Sequence, residues 1–140
     1  MGIELYWDND EQTVMLCEFE KNWSWDDLFA TFDKIKKVTD KRDDVIGAIL
    51  DIDHGVNIPG GSIFNIDTRN KAMQMLKMGG SKRGPMVVVG ANSFIKAIYH
   101  AVGTIDRNAQ QDIYFAKTLT EARKIMNQRL SELSMVKIPV

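Results

Sequence analysis

The sequence has one cysteine, no long apolar run and almost no net charge, and each of these shortages excludes a class of protein. Cys17 has no second cysteine with which to form an internal disulfide, which favours a reducing compartment. No apolar run approaches the roughly 18 residues that a membrane-spanning helix needs. The formal net charge is −1, so the composition does not support a nucleic-acid or anionic-membrane partner.

Signals for targeting and for domain division are missing as well. Residues 1–10 are acidic and lack the basic-then-apolar order of a signal peptide. The pattern contains no internal repeat, low-complexity segment or linker. We therefore expect a cytoplasmic protein with no membrane insertion. Its 140 residues, of which 44 % are hydrophobic and 26 % charged, suffice for one soluble α/β domain with a real core.

Five segments of the chain have the hydrophobic pattern of β-strands. The first two are short and flank an Asp/Asn-rich turn, which predicts a β-hairpin. The third and fourth are almost wholly apolar, as is typical of central strands covered on both faces. The predicted strands are residues 3–7, 13–19, 45–52, 85–90 and 112–116.

Four helices are predicted between and after these strands. Ser24 with Asp27 forms a capping-box pattern ahead of an apolar stripe at helical spacing, and Thr118 with Glu121 repeats that pattern before the last helix. Two more helices are expected to begin at Ser62 and at Asn92 or Ser93.

The resulting order is β-β-α-β-α-β-α-β-α. Because each later strand follows a helix, we expect right-handed crossovers and a mixed, mostly parallel sheet flanked by helices. The hairpin supplies an antiparallel edge. The domain is expected over residues 1–133, followed by an apolar tail over 134–140 that the pattern does not assign.

This order and several short motifs resemble the STAS-like domains, the anti-sigma-factor antagonists of sporulation and their relatives. In that family the third strand ends in an Asp and leads through a short loop into a helix, as residues 50–55 and 58–62 do here. Residues 6–9, 22–26 and 88–90 are similar to a bacterial subgroup of these proteins. The resemblance implies a STAS-like fold and a signalling or binding role.

The resemblance also points to Ser62 as a phosphoacceptor, with one departure. Signalling members carry Asp-Ser-Ser-Gly at the start of the second helix, whereas this chain has Pro-Gly-Gly-Ser over residues 59–62. A phosphate on Ser62 would lie at a helix N-terminus, where free amides and the helix dipole stabilise negative charge. Ser62 also fits the simpler role of an N-cap, which stabilises a helix by about 1 kcal/mol.

A polar group lies where the third strand is expected to end. Asp51, Asp53 and His54 would stand at the carboxyl end of a parallel strand, the edge outside which open α/β sheets bind ligands. The three could hold a metal or perform acid–base chemistry, but their spacing matches no specific metal motif. A polar loop with one capping Asp is the simpler interpretation.

No catalytic motif is recognisable in the sequence. There is no Ser-His-Asp order with supporting context, no nucleophile elbow and no phosphate-binding loop. Cys17 lies within a predicted strand and is expected to be packed rather than reactive. We therefore predict no catalytic residue, no cofactor and no bound metal.

Three hypotheses about function follow. The first is a non-catalytic STAS-like regulatory module that binds a protein partner or a small ligand through a surface comprising Asp53, His54, Ile58, Ser62 and Met75. The second is a metal-dependent or small-molecule enzyme that uses Asp51, Asp53 and His54. The third is a structural homodimer that pairs through the tail or through the edge strand 3–7.

Overall fold

The computed structural model describes residues 2–21, 23–42, 44–52, 70, 84–90 and 112–136. Within these residues the chain is α/β, with a mixed five-stranded sheet and two helices. The strands are β1 (Ile3–Trp7), β2 (Val14–Phe19), β3 (Gly47–Asp51), β4 (Met86–Val89) and β5 (Ile113–Ala116). The helices are α1 (Trp25–Thr39) and α2 (Leu119–Val136).

The strands follow one another across the sheet in the order β1-β2-β3-β4-β5. β1 pairs with β2 antiparallel, and the three remaining pairings are parallel. The structure thus confirms the predicted hairpin, its position at an edge and the mostly parallel centre. β3 lies in the middle of the sheet, which explains why its sequence is almost wholly apolar.

The side chain of Asn9 makes three hydrogen bonds in the hairpin turn. Its Oδ1 accepts hydrogen bonds from the backbone amides of Thr13 and Val14 at 3.0 and 3.1 Å. Its Nδ2 donates a hydrogen bond to the Thr13 hydroxyl at 2.7 Å. Gln12 adopts a φ of 57°, a left-handed conformation that turns the chain back into β2. The Asp/Asn-rich turn predicted from the sequence is therefore present.

A complete capping box starts α1. The Ser24 hydroxyl accepts the Asp27 amide at 3.1 Å, and the Asp27 carboxylate accepts the Ser24 amide at 3.0 Å. Asp26 and Asp27 lie in the first turn, while Lys36 and Lys37 lie in the last, so both ends suit the helix dipole. The predicted helix start is confirmed.

One face of the sheet packs against α1. Leu28 and Phe32 from the helix join strand residues such as Leu50 and Val88 in a single buried cluster. Trp23 packs against Phe19 edge to face, with ring centroids 5.3 Å apart. Trp23 directly precedes the N-cap residue Ser24 and is buried in the same cluster.

The opposite face packs against α2. Ala122 and Met126, both fully buried, contact a cluster of strand residues that includes Ile49 and Val87. The Thr118 hydroxyl accepts the Glu121 amide at 3.2 Å, as the capping pattern predicts. The reciprocal bond differs, because the Glu121 carboxylate accepts the Lys117 amide at 3.1 Å.

Several predicted elements lie outside the described residues. These are the helices expected to begin at Ser62 and at Asn92 or Ser93, together with residues 137–140 of the predicted tail. The backbone of residues 134–136 continues α2, because that helix ends at Val136. No helix within the described ranges is long and apolar enough to cross a membrane.

Candidate functional site

Of the candidate site residues predicted from the sequence, Asp51 is the one that the structure describes. The predicted partner or ligand surface, including the candidate phosphoacceptor, lies outside the described residues. Its members are Asp53, His54, Ile58, Ser62 and Met75. Of the alternative grouping of Asp51 with Asp53 and His54, Asp51 lies within the described residues and the other two lie outside them.

Asp51 belongs to a row of carboxylates that crosses three strands. It ends β3 and lies opposite Glu18 in the parallel register of β2 and β3. Glu18 in turn lies opposite Glu4 in the antiparallel register of β1 and β2. Because directly opposed residues point to the same face of a sheet, all three carboxylates line one face. We call Glu4, Glu18 and Asp51 the carboxylate row.

The carboxylate row borders a shallow cleft of about 260 Å³. Glu4 and Glu18 are exposed, while Asp51 is half-buried. One cationic side chain contributes to the lining against four carboxylates, so the cleft suits positively charged groups. The lining residues are Glu4, Glu18, Phe19, Glu20, Lys21 and Asp51.

Tyr6 stands on the same face, two residues along β1 from Glu4, and its side chain is 42 % exposed. Its hydroxyl donates a hydrogen bond to the Glu4 carboxylate. That bond, reinforced by the negative charges of Glu18 and Glu20, raises the pKa of Tyr6 to about 12. The phenol therefore stays protonated at neutral pH and acts as a hydrogen-bond donor and an aromatic contact surface.

Neither a metal centre nor a reactive thiol is present among the described residues. Within them, no three His, Cys, Asp or Glu side chains are placed to hold a metal ion. Cys17 is buried on β2, and loss of hydration raises its thiol pKa to about 12. The thiol is therefore protonated and enclosed, which matches the expectation that it packs rather than reacts.

A second, smaller cavity lies at the opposite end of the strands, beside an ion pair that stabilises the fold. It measures about 140 Å³ and lies between the hairpin turn and α2. At its rim the Arg123 guanidinium donates to the Asp8 carboxylate at 2.8 and 3.0 Å. Asp8 is 8 % exposed at its side chain and is satisfied by this pair, which ties the hairpin to the C-terminal helix.

The backbone groups of β1 alternate between those that bond β2 and those that point to the outer edge of the sheet. The Asp8 amide donates to the Val14 carbonyl at 2.8 Å and the Glu20 amide to the Gly2 carbonyl at 2.7 Å. Since bonded pairs alternate along an antiparallel ladder, Glu4 and Tyr6 bond β2 as well. The backbone groups of Ile3, Leu5 and Trp7 therefore point away from β2, and no described strand lies beside them.

The carboxylate row was not predicted from the sequence, although the sequence contains a signal for it. Glu4 and Glu18 each stand between apolar residues in a predicted strand, so each had to face away from the α1 side of the sheet. Fixing the hairpin register would have placed them opposite each other. The position of Asp51 in line with this pair also depends on the order of the strands in the sheet, which the spacing of residues does not give.

No protein-family model matches the chain, and a search of curated proteins finds no similar sequence.

Proposed function

We propose that this chain is a non-catalytic binding module that acts through a protein partner. The observation that carries the proposal is the outer edge of β1, beside which no strand lies in the described part of the chain and which adjoins the exposed ring of Tyr6. An unpaired strand edge presents a row of backbone donors and acceptors, and natural proteins usually blunt such an edge with Pro, Lys or a bulge. β1, with the sequence Ile-Glu-Leu-Tyr-Trp, contains neither Pro nor Lys.

The chemistry of the region agrees with binding rather than turnover. Tyr6 holds its proton, and Cys17 is enclosed in the core. An exposed aromatic ring among charged groups is typical of contact surfaces, because it provides contact area at a low cost in conformational entropy. The resemblance to STAS-like domains, which include regulatory binding proteins, supports the same class of function.

Affinity capture with quantitative mass spectrometry tests this proposal. Immobilised wild-type protein should enrich a defined partner from the source cells, and Tyr6→Ala should reduce that enrichment. Glu132→Gln on α2, far from β1 in sequence and exposed, is the control. Ile58→Glu examines the surface predicted from the sequence. Wild-type capture that never exceeds the bare matrix would refute the proposed function.

A metal-dependent or small-molecule enzyme is the second candidate. It rests on Asp51, which does lie at the carboxyl end of a parallel strand, where open α/β sheets bind ligands. Elemental analysis of the purified protein distinguishes the two candidates. A stoichiometric metal that is lost in Asp51→Asn would favour the enzyme.

A further inference from the structure

We infer that the edge of β1 accepts an extended, basic segment of the partner protein as an additional strand. The inference rests on the proposed function and specifies its partner. Strand addition derives its affinity from backbone hydrogen bonds and its specificity from alternate side chains. The backbone of β1 can provide the hydrogen bonds, and the carboxylate row on the adjoining face can provide the specificity.

The backbone of β1 has the groups that strand addition needs. The amides and carbonyls of Ile3, Leu5 and Trp7 point away from β2. These groups recur at every second residue, because the pairing of β1 with β2 has no bulge. An added strand can bond to all three residues without disturbing the hairpin. The side chains of Ile3 and Leu5 already pack in the core, so an incoming strand would meet an ordered edge.

The charge of the neighbouring face sets the chemistry of the added strand. A residue placed beside Glu4 would lie next in line after Asp51, Glu18 and Glu4. Opposite charges in cross-strand positions stabilise a sheet, whereas like charges directly opposite destabilise it. Lys or Arg on that face would meet the carboxylates and could stack on the Tyr6 ring.

The carboxylate row favours a basic segment over a second copy of this chain. Antiparallel pairing of β1 with the β1 of a second copy would continue the sheet about a two-fold axis perpendicular to it. That axis would bring the carboxylate rows of both copies to the same face, on either side of the shared edge. Repulsion between like charges opposes such a pairing, whereas a basic segment brings the opposite charge to that face.

Fluorescence anisotropy with labelled synthetic peptides tests the inference on the full chain. The basic probe alternates Lys with Val, and the control probe alternates Glu with Val. The basic peptide should bind, and the acidic peptide should not. In the basic peptide, the amides of every second residue would face β1. N-methylation of these amides should weaken binding about tenfold, because it removes their hydrogen bonds to β1. N-methylation of the other amides should leave binding nearly unchanged.

Two variants connect binding to the edge itself. Leu5→Pro removes an amide that points outwards and leaves the bonds to β2 in place. Leu5→Ala removes the same side chain but retains the amide, so it controls for lost packing. Binding should be lost in Leu5→Pro and retained in Leu5→Ala, with circular dichroism confirming that both variants fold.

Three results would overturn the inference. They are equal binding of the basic and acidic peptides, equal binding by Leu5→Pro and Leu5→Ala, and a dimer in sedimentation that Leu5→Pro abolishes. The last result would mean that a second copy occupies β1. If affinity capture still yields a partner that Leu5→Pro also binds, strand addition is wrong and the proposed function stands. An empty capture experiment would instead remove the proposed function.

Discussion

Arg123 on α2 and Asp8 at the start of the hairpin turn form a two-point ion pair across 115 residues of chain. The Asp8 side chain is only 8 % exposed, whereas that of Arg123 is 48 % exposed. The Asp8 carboxylate is therefore largely removed from water, and the hydrogen bonds from Arg123 compensate for the hydration that it loses. The ion pair joins the antiparallel edge of the sheet to the last helix.

Arg123→Ala should lower the free energy of unfolding by about 1–3 kcal/mol, because it leaves the Asp8 carboxylate enclosed and short of donors. Urea denaturation followed by tryptophan fluorescence measures the change. Lys124→Ala, at an exposed neighbouring position, is the matched control and should change stability by less than about 0.5 kcal/mol. Equal effects of the two substitutions would show that the ion pair contributes nothing specific.

Gly47→Ala should destabilise the fold by about 1–3 kcal/mol through overpacking. A Cβ at Gly47 would overlap the sulfur of Met126, which is fully buried against the sheet. A double-mutant cycle with Met126→Ala should show coupling, because the smaller side chain leaves room for the new methyl group. Strict additivity of the two substitutions would contradict this account.

Stability should fall as the pH rises above about 9. The ordinary pKa of a cysteine thiol is 9.0, and burial raises the pKa of Cys17 to about 12 in the folded protein. The contribution of this thiol to the free energy of unfolding is fully present below pH 9. It is lost as the pH rises towards 12, because in that range the thiol releases its proton in the unfolded state but retains it in the folded state. By linkage the loss reaches about 2 kcal/mol near pH 10.5. Tyr6 contributes in the same direction, because its pKa is also raised in the folded protein.

Urea denaturation of wild type and Cys17→Ala at pH 8 and at pH 10.5 isolates the contribution of the thiol. The wild type should lose more stability between the two pH values than the variant does. In addition, a thiol reagent should modify Cys17 only after denaturant is added. Rapid labelling of the native protein at pH 8 would contradict its burial.

Glu18→Gln should stabilise the fold by about 0.2–1 kcal/mol, because Glu18 lies between two other carboxylates of the carboxylate row. The gain should shrink in high salt, since exposed charges are screened. Glu11→Gln, an exposed change in the hairpin turn, should show no comparable gain. Thermal unfolding at low and high salt measures both variants. A loss of stability in Glu18→Gln would indicate that this carboxylate has a favourable partner in the free protein.

Local patterns predicted much of the described fold. The Ser24–Asp27 capping box marked the start of α1, and the apolar runs marked β3 and β4 within two residues at each end. The last helix extends three residues beyond the predicted domain limit at 133, because a helical pattern fades gradually where apolar spacing ends. The Glu121 carboxylate bonds to Lys117 instead of Thr118, a choice of rotamer that the spacing of residues cannot reveal.

By itself, the sequence determined the α/β fold class, the hairpin formed by the first two strands and the apolar centre of the sheet. These follow from period-two and period-3.6 patterns and from capping residues, which act over a few positions. Only the tertiary structure decided that Glu4, Glu18 and Asp51 share one row and that Arg123 reaches Asp8. Such pairs depend on strand order and on the face that a helix covers, and both are set by packing between distant parts of the chain.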